Sequence, residues 1–205
     1  VSESYRTVAG HADAAFEVRG SEFLGHVRPI TSVAAAEAFV DEVRAEYDDA
    51  THNVPAYRVR EGDSTLGGGM LREYSNDDGE PSGSAGKPML NVLQGQDLEN
   101  VAVVVTRYYG GTNLGVGGLV RAYSQAVKDA VAAAGVVEEV PHESVVVVAD
   151  YDDSGTVRGI LESTGVEFEA DYAERVRFDA RVPVADAGAL CDRLRSATSG
   201  RVDPS

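Results

Sequence analysis

The sequence predicts an α+β protein built as two domains, on three observations. A continuous apolar run, Val101–Tyr108, reads as a strand buried on both faces. A long helical stripe follows it, with Leu119, Ala122, Tyr123, Ala126, Val127, Ala130, Val131 and Ala134 on one side. Beyond a short acidic stretch, Glu138–Glu143, which contains Pro141, the pattern changes to short strands and helices in the order βαββα. That boundary divides the chain into residues 1–140 and 141–205.

The first domain opens with strand-like Ala14–Val18, a turn near Arg19-Gly20-Ser21, and strand-like Glu22–Ile30. Thr31 and Ser32 are good caps for the helix that follows, whose buried side is Ala36, Phe39, Val40, Val43 and Tyr47. A strand is expected at Ala56–Arg60, a glycine-rich loop at Glu61–Gly69 and a further strand at Met70–Tyr74. Ser75–Gly86 reads as a loop, and Pro88 suits the first turn of a short helix ending near Gly95. Gly110–Gly118 reads as a glycine turn, and Gly135 stops the helix after it. In the second domain the strands fall at Ser144–Asp150, Val166–Tyr172 and Arg175–Pro183, the helices at Thr156–Ser163 and Ala185–Ser196. A clipped last strand near Val202 would complete a ferredoxin-like unit.

Composition narrows the function classes. Of 205 residues 43% are hydrophobic, which suits a folded chain, yet no apolar run reaches the ~18–20 residues of a membrane span. Val1–Arg19 lacks the layout of a secretory leader, and the single cysteine, Cys191, leaves no disulfide partner within the chain. A cytoplasmic protein without a membrane partner is the expectation. Net charge is −16, and Lys87 and Lys128 are the only lysines. Residues 1–141 hold 11 basic and 21 acidic residues, a net of −10; the rest hold 7 and 13, a net of −6. Neither part is a basic nucleic-acid module. An even acidic coat with few lysines is what a high-salt cytoplasm favours, because dense surface charge keeps a protein soluble when salt screens repulsion.

The strongest local signal is Thr106-Arg107-Tyr108-Tyr109-Gly110-Gly111-Thr112-Asn113-Leu114-Gly115-Val116-Gly117-Gly118-Leu119-Val120-Arg121-Ala122-Tyr123. A strand running through five glycines into a helix exposes backbone N–H groups at a positive helix end, an anion cradle in outline. It is not a P-loop, since Val116-Gly117 stands where Lys-Ser/Thr belongs, nor a dinucleotide fingerprint, since Val120 replaces the third glycine. Arg121 falls in the first helical turn, off the buried stripe, where a cation asks for a compensating anion. Arg107 closes the buried strand at the end where open α/β sheets hold ligands. Either arginine pairs with Asp77, Asp78 or Glu80, or with a ligand.

The loop Asn76-Asp77-Asp78-Gly79-Glu80-Pro81-Ser82-Gly83 gathers three carboxylates. The EF-hand spacing fails at Ala85, and no histidine cluster accompanies it, so no metal and no cofactor is expected. His52 is a general base by type, or a packing histidine. His11, His26 and His142 stand alone in sequence, Cys191 reads as a small core residue, and no Ser–His–Asp or Cys–His set can be composed.

These residues carry a family resemblance. Asp77-Asp78-Gly79-Glu80-Pro81-Ser82-Gly83-Ser84-Ala85-Gly86-Lys87-Pro88 resembles the D-D-G-E-P-x-G-[ST]-A-G-x-P loop of the YigZ/Impact family, and Thr106–Tyr123 resembles its second signature. Ser21-Glu22-Phe23-Leu24-Gly25 and His52-Asn53 match its start. The likeness is strong over Ser21–Gly135 and weaker from Ser144. It implies a first domain like the second domain of the small-subunit ribosomal protein five, and a second like the last, ferredoxin-like domain of the translocation elongation factor. Where the family often has Cys-Tyr after His-Asn, this chain has Val54-Pro55, so no nucleophilic cysteine is available there. Eukaryotic relatives regulate translation by competing for the activator of a starvation-responsive initiation-factor kinase, but with a different accessory domain.

The function this supports is a non-enzymatic regulator of translation or stress response, with RNA, the ribosome or a translation-associated protein as partner. Its binding set is Lys87, Arg107, Tyr108, Gly110, Gly111, Gly115, Gly117, Gly118, Arg121 and Tyr123, with Tyr109 on the contact surface, and His52, Asp77, Asp78, Glu80 and Ser82 supporting it. One alternative is an enzyme on a small phosphorylated or carboxylated substrate, in which Asp78, Glu80 or His52 moves protons. The other is a purely structural signature that packs domains or subunits together.

Overall fold

The computed structural model describes residues 4–61 and 69–205, and the protein divides into two compact units. The loop expected at Glu61–Gly69 lies mostly outside the described residues. Among the described residues no helix is long and apolar enough to cross a membrane.

The unit Tyr5–Glu139 is built on a five-stranded sheet. In chain order its elements are β1 (Tyr5–Val8), β2 (Ala12–Val18), β3 (Ser21–Pro29), α1 (Val33–Glu46), β4 (His52–Glu61), β5 (Met70–Ser75), α2 (Gly86–Gly95), β6 (Val101–Tyr108), α3 (Gly115–Ala134) and β7 (Val136–Glu139). The sheet order is β2-β3-β6-β4-β5, and every neighbouring pair is antiparallel. The central strand β6 is buried on both faces, as its unbroken apolar run predicts. Val103 and Val105 join a core with Phe23, Tyr123 and Val127, while Ala102 and Val104 join another with Phe39, Val43 and Tyr57. The sheet is therefore sandwiched, with α1 against one face and α2 and α3 against the other. Because it is antiparallel, the rule that ligands gather at the C-terminal edge of parallel strands does not apply to Arg107.

The helices begin where capping chemistry allows. Ser32 caps α1 by accepting the N–H of Ala35 at 3.1 Å. α3 begins at Gly115, so Gly115–Gly118 form its first turn instead of a preceding loop, and Arg121 falls in its second turn. Gly135 ends it at φ 76°. β4 starts at His52, four residues before the strand expected there, because Val54 and Pro55 pair with Val105 and Val104. The short strands β1 and β7 escaped the sequence reading; they form a separate two-stranded ribbon, Tyr5 opposite Glu139 and Val8 opposite Val136. With four residues each and charges among them, neither shows a usable alternation.

The second unit, from Val140 onward, follows the ferredoxin-like plan: β8 (His142–Ala149), α4 (Tyr151–Thr164), β9 (Glu167–Tyr172), β10 (Val176–Pro183) and α5 (Val184–Ala197). The sheet order is β8-β10-β9, antiparallel throughout. Val176, Phe178, Ala180 and Val182 alternate into the core. The last strand expected near Val202 does not form. In its place Ser205 and Val146 exchange two backbone hydrogen bonds, of 2.8 and 3.0 Å, beside β8, and Val202 packs into the core.

Candidate interaction site

The signature segments meet at one end of the five-stranded sheet, where they sort into an internal set and an exposed set. Arg107 is 5% exposed. Its Nη1 donates to Glu80 Oε1 at 2.6 Å and its Nη2 to Ser21 Oγ at 3.3 Å, while Nε has no hydrogen-bond partner. The guanidinium lies 5.5 Å from the Phe23 ring centre and 5.4 Å from that of Tyr109. Glu80 Oε1 also accepts the Tyr123 hydroxyl at 2.7 Å, and Glu80 Oε2 stands 3.8 Å from His52 Nε2. Burial, then the Glu80 hydrogen bond, drives the Tyr123 phenol far above its ordinary range, so it donates at any physiological pH. Arg107 and Tyr123 are therefore interior residues, and the expected anion of Arg107 is supplied by Glu80.

The acidic loop is braced by the same economy. Asp77 accepts three backbone N–H groups, from Gly83 (2.8 Å), Gly86 (2.9 Å) and Ala85 (3.2 Å), the last two opening α2. Burial raises its carboxyl, but the three donors outweigh it and hold the group below its usual value of 3.8. A carboxyl so depressed stabilises the fold fully above that ordinary value and ceases to do so as pH falls through its lowered one. Asp77→Asn is expected to lose about 1–3 kcal/mol at neutral pH, because an amide N–H₂ replaces one acceptor. The loss is expected to shrink on acidification, as read from urea unfolding against pH.

Asp78, at φ 48°, accepts the Asn53 N–H at 2.7 Å and Arg44 at 3.2 Å, and its carbonyl accepts His52 Nδ1 at 2.6 Å. Since a carbonyl only accepts, Nδ1 carries the proton and His52 is held as the hinge between Asp78 and Glu80. Ser82 is exposed; its neighbour Ser84 is buried and closes the turn on Pro81 O at 2.6 Å.

The glycines divide by cause. Gly110 lies where the chain passes against Gly20 and Ser21, and a Cβ there would overlap their backbone. Its N–H donates to Ser21 Oγ at 3.1 Å. Gly111 and Gly115 hold positive φ, 84° and 72°. A Cβ on Gly117 would meet only the Arg121 Nη1 tip at 3.7 Å, and one on Gly118 would press on Leu114 at 3.0 Å. Leu114 caps α3 without a side-chain hydrogen bond, and no acidic residue lies in its first turn.

The exposed set comprises Lys87, Tyr109, Gly110, Gly111, Gly115, Gly117 and Arg121. Among the described residues neither Lys87 nor Arg121 makes an ion pair. Tyr108 is half-buried and bonded to Asp49 at 2.7 Å, which pushes its phenol up to about 12. Sequence reasoning missed two contributors. Ser21 bridges Arg107 and Gly110. His26, read as solitary, is buried on the α1 face between Asp13 (2.7 Å) and Thr106 (3.3 Å), and Thr106 in turn donates to Asn53 (2.6 Å). The contacts run across strand pairings, Asp13 opposite His26 and Asn53 opposite Thr106, which only the register reveals.

The description "Impact N-terminal domain" matches residues 19–131, and "Domain of unknown function (DUF1949)" matches residues 147–201. IMPACT family member YvyE of Bacillus subtilis is 35% identical over 98% of this chain and 89% of its own length. The chain belongs to the IMPACT family. YigZ of Escherichia coli, another IMPACT family member, is 32% identical over 97% of this chain and 95% of its own length. A crystal structure of a hypothetical protein superposes over 100% of the chain at TM-score 0.70 and 30% identity, covering 97% of that protein. The two-domain translational regulator Yih1 is 28% identical over 62% of the chain and 46% of its own length, but at TM-score 0.38 the superposition carries no argument. Both IMPACT signature segments thus lie within the matched first domain, one forming the braced loop and the other the buried arginine and the exposed helix start.

Proposed function

We propose that this IMPACT family chain is a non-enzymatic regulator of translation that binds the ribosome through the outer face of α2 and α3. The reading rests on family membership along nearly the whole chain, and on what the family resemblance implies for translation. The observation that carries it is local charge. In a chain of net charge −16, both lysines and Arg121 lie on these two helices, exposed and without a carboxylate partner among the described residues. Beside Arg121, the uncapped first turn of α3 offers N–H groups to phosphate. The exposed Tyr109 ring adds a stacking surface. The sheet face of the second unit suits nucleic acid less well. Glu167, Glu169, Asp171 and Asp179 stand there against Arg177 and Arg181, and Arg177 is already paired with Asp179 at 2.8 Å.

The test is co-sedimentation with ribosomes from the source cells across a salt series. Wild type is compared with Lys87→Ala/Arg121→Ala, whose exposed side chains leave the fold intact. Binding is expected for wild type, weakened in the variant, with the slope of log affinity against log salt shallower by roughly 1.5–2. Equal binding by the two proteins, or none by wild type at any salt, overturns the reading.

A further inference from the structure

The two helices that carry the exposed cations enclose a groove of about 410 Å³. Asn91 of α2 and Gln96 at its end line one wall, Ser124 and Lys128 of α3 the other. Ser124 and Lys128 follow each other on one row of the helix, four residues apart. The side-chain amides of Asn91 and Gln96 and the Ser124 hydroxyl make no hydrogen bond among the described residues. Each amide offers two N–H donors and a carbonyl acceptor, so the groove presents both kinds of polar group, uncommitted. The charge of the same helices has one sign. Lys87, Arg121 and Lys128 stand against a single carboxylate, Asp129, a net of +2 in a chain of −16. Asp129 already accepts Gln125 at 2.6 Å. Arg121 and Lys128 share one face of α3, two turns and roughly 10 Å apart along its axis. The Arg121 guanidinium leans back over Gly117, toward the start of the helix and away from Lys128. The two charges therefore address separate anions.

We infer that this groove holds an unpaired nucleotide of an RNA strand, with phosphates of the same strand on Arg121 and Lys128. The inference rests on the ribosome reading above and deepens it, since it names RNA as the component bound. A nucleic-acid strand supplies anions at intervals, as two separated cations require. Between them it supplies a base, whose edge both donates and accepts, and a 2′-hydroxyl that does the same. Those are the partners that Asn91, Gln96 and Ser124 lack. The carboxylates of an acidic peptide only accept, and would leave the amide oxygens of Asn91 and Gln96 unpaired. A base-paired strand spends its edges on its complement and keeps its bases stacked, so the strand that enters is single. The volume of the groove lies within the range of small-molecule sites, which suits one nucleotide and not a helix of RNA.

The experiment is fluorescence anisotropy of the full chain with a short labelled single-stranded RNA of mixed sequence, across a salt series. The same RNA annealed to its complement and a polyglutamate peptide of equal charge are titrated beside it. The single strand is expected to bind roughly tenfold or more tightly than either. Lys128→Ala is expected to weaken the strand and to make the slope of log affinity against log salt shallower by about 0.7, the share of one phosphate contact. Asn91→Ala/Ser124→Ala is expected to weaken it roughly ten- to a hundredfold with the slope unchanged, because hydrogen bonds are lost and no charge is. Unfolding midpoints check both variants, and Asn91→Ala, at an exposed position, serves alone if the double variant does not fold. No binding of the strand at any salt overturns the inference. So does a duplex or peptide that binds as well as the strand, or an affinity that the folded Asn91 variant leaves unchanged. Wild type that sediments with ribosomes yet binds no RNA strand sinks this inference and leaves the ribosome reading standing on a protein contact. Wild type that binds the strand but no ribosome sinks the ribosome reading alone.

Discussion

Arg107→Met is expected to destabilise the first unit by about 3–5 kcal/mol, because it strands the Glu80 carboxylate, 8% exposed, without its countercharge. The double substitution Arg107→Met/Glu80→Gln is expected to regain most of that loss. The amide oxygen of glutamine still accepts the Tyr123 hydroxyl, while the uncompensated charge disappears. A thermodynamic cycle from urea unfolding of the four proteins measures the coupling. If Arg107 acted as a ligand-binding cation instead of an internal strut, the single variant would unfold near the wild-type midpoint and lose only binding. This is also why an Arg107 substitution is a poor probe of the proposed surface, and Lys87 and Arg121 are better ones.

Gly110→Ala is expected to cost roughly 4 kcal/mol or more, enough to leave the chain unfolded or insoluble. The methyl group would occupy the position of the Gly20 carbonyl and the Ser21 amide, and backbone on both sides gives it no flexible neighbour to displace. Gly117→Ala, seven residues on in the same glycine run, is expected to be neutral or to stabilise by about 0.5–1 kcal/mol. Its Cβ would touch only a mobile arginine tip, and alanine suits a helix better than glycine. Midpoints of denaturant unfolding for the two proteins, side by side, test whether the run is one binding motif or a set of separate backbone requirements. Comparable losses from both substitutions would show that the run acts as one motif.

What the sequence made legible follows period and punctuation. The stripe from Leu119 to Val131 fell on the buried side of α3, and Val101–Tyr108 was bounded correctly, because each pattern is long and its period unambiguous. The first turn of α3 was misread as loop because glycine marks turns and helix starts alike. The type of the first domain came from the signature motifs of the family, whereas the ferredoxin-like plan of the second was already legible in its βαββα pattern. The site was legible as a list of residues and illegible as an arrangement. The helical stripe sets Arg121 off the buried side of α3, but nothing along the chain says that Arg107 parts from it by pointing inward to Glu80. That division is made by strand register, which puts Arg107 opposite Phe23 and His52. The role of His26 was hidden for the same reason.

The ribbon of β1 and β7 has a mechanical consequence. It holds the first and last residues of the unit Tyr5–Glu139 side by side, with Tyr5 opposite Glu139 at its outer end. Tension applied through the chain at these two points loads the pairs one after another, from Tyr5 and Glu139 inward to Val8 and Val136, as a zipper opens from its tab. Arg6 also donates to Gln96 O and accepts the Glu99 N–H, and Thr7 donates to Asn100 O, all just ahead of β6, so load reaches the central strand of the sheet as soon as the first pair parts. The ribbon is therefore a fastening that ties both ends of the unit to the strand at its centre.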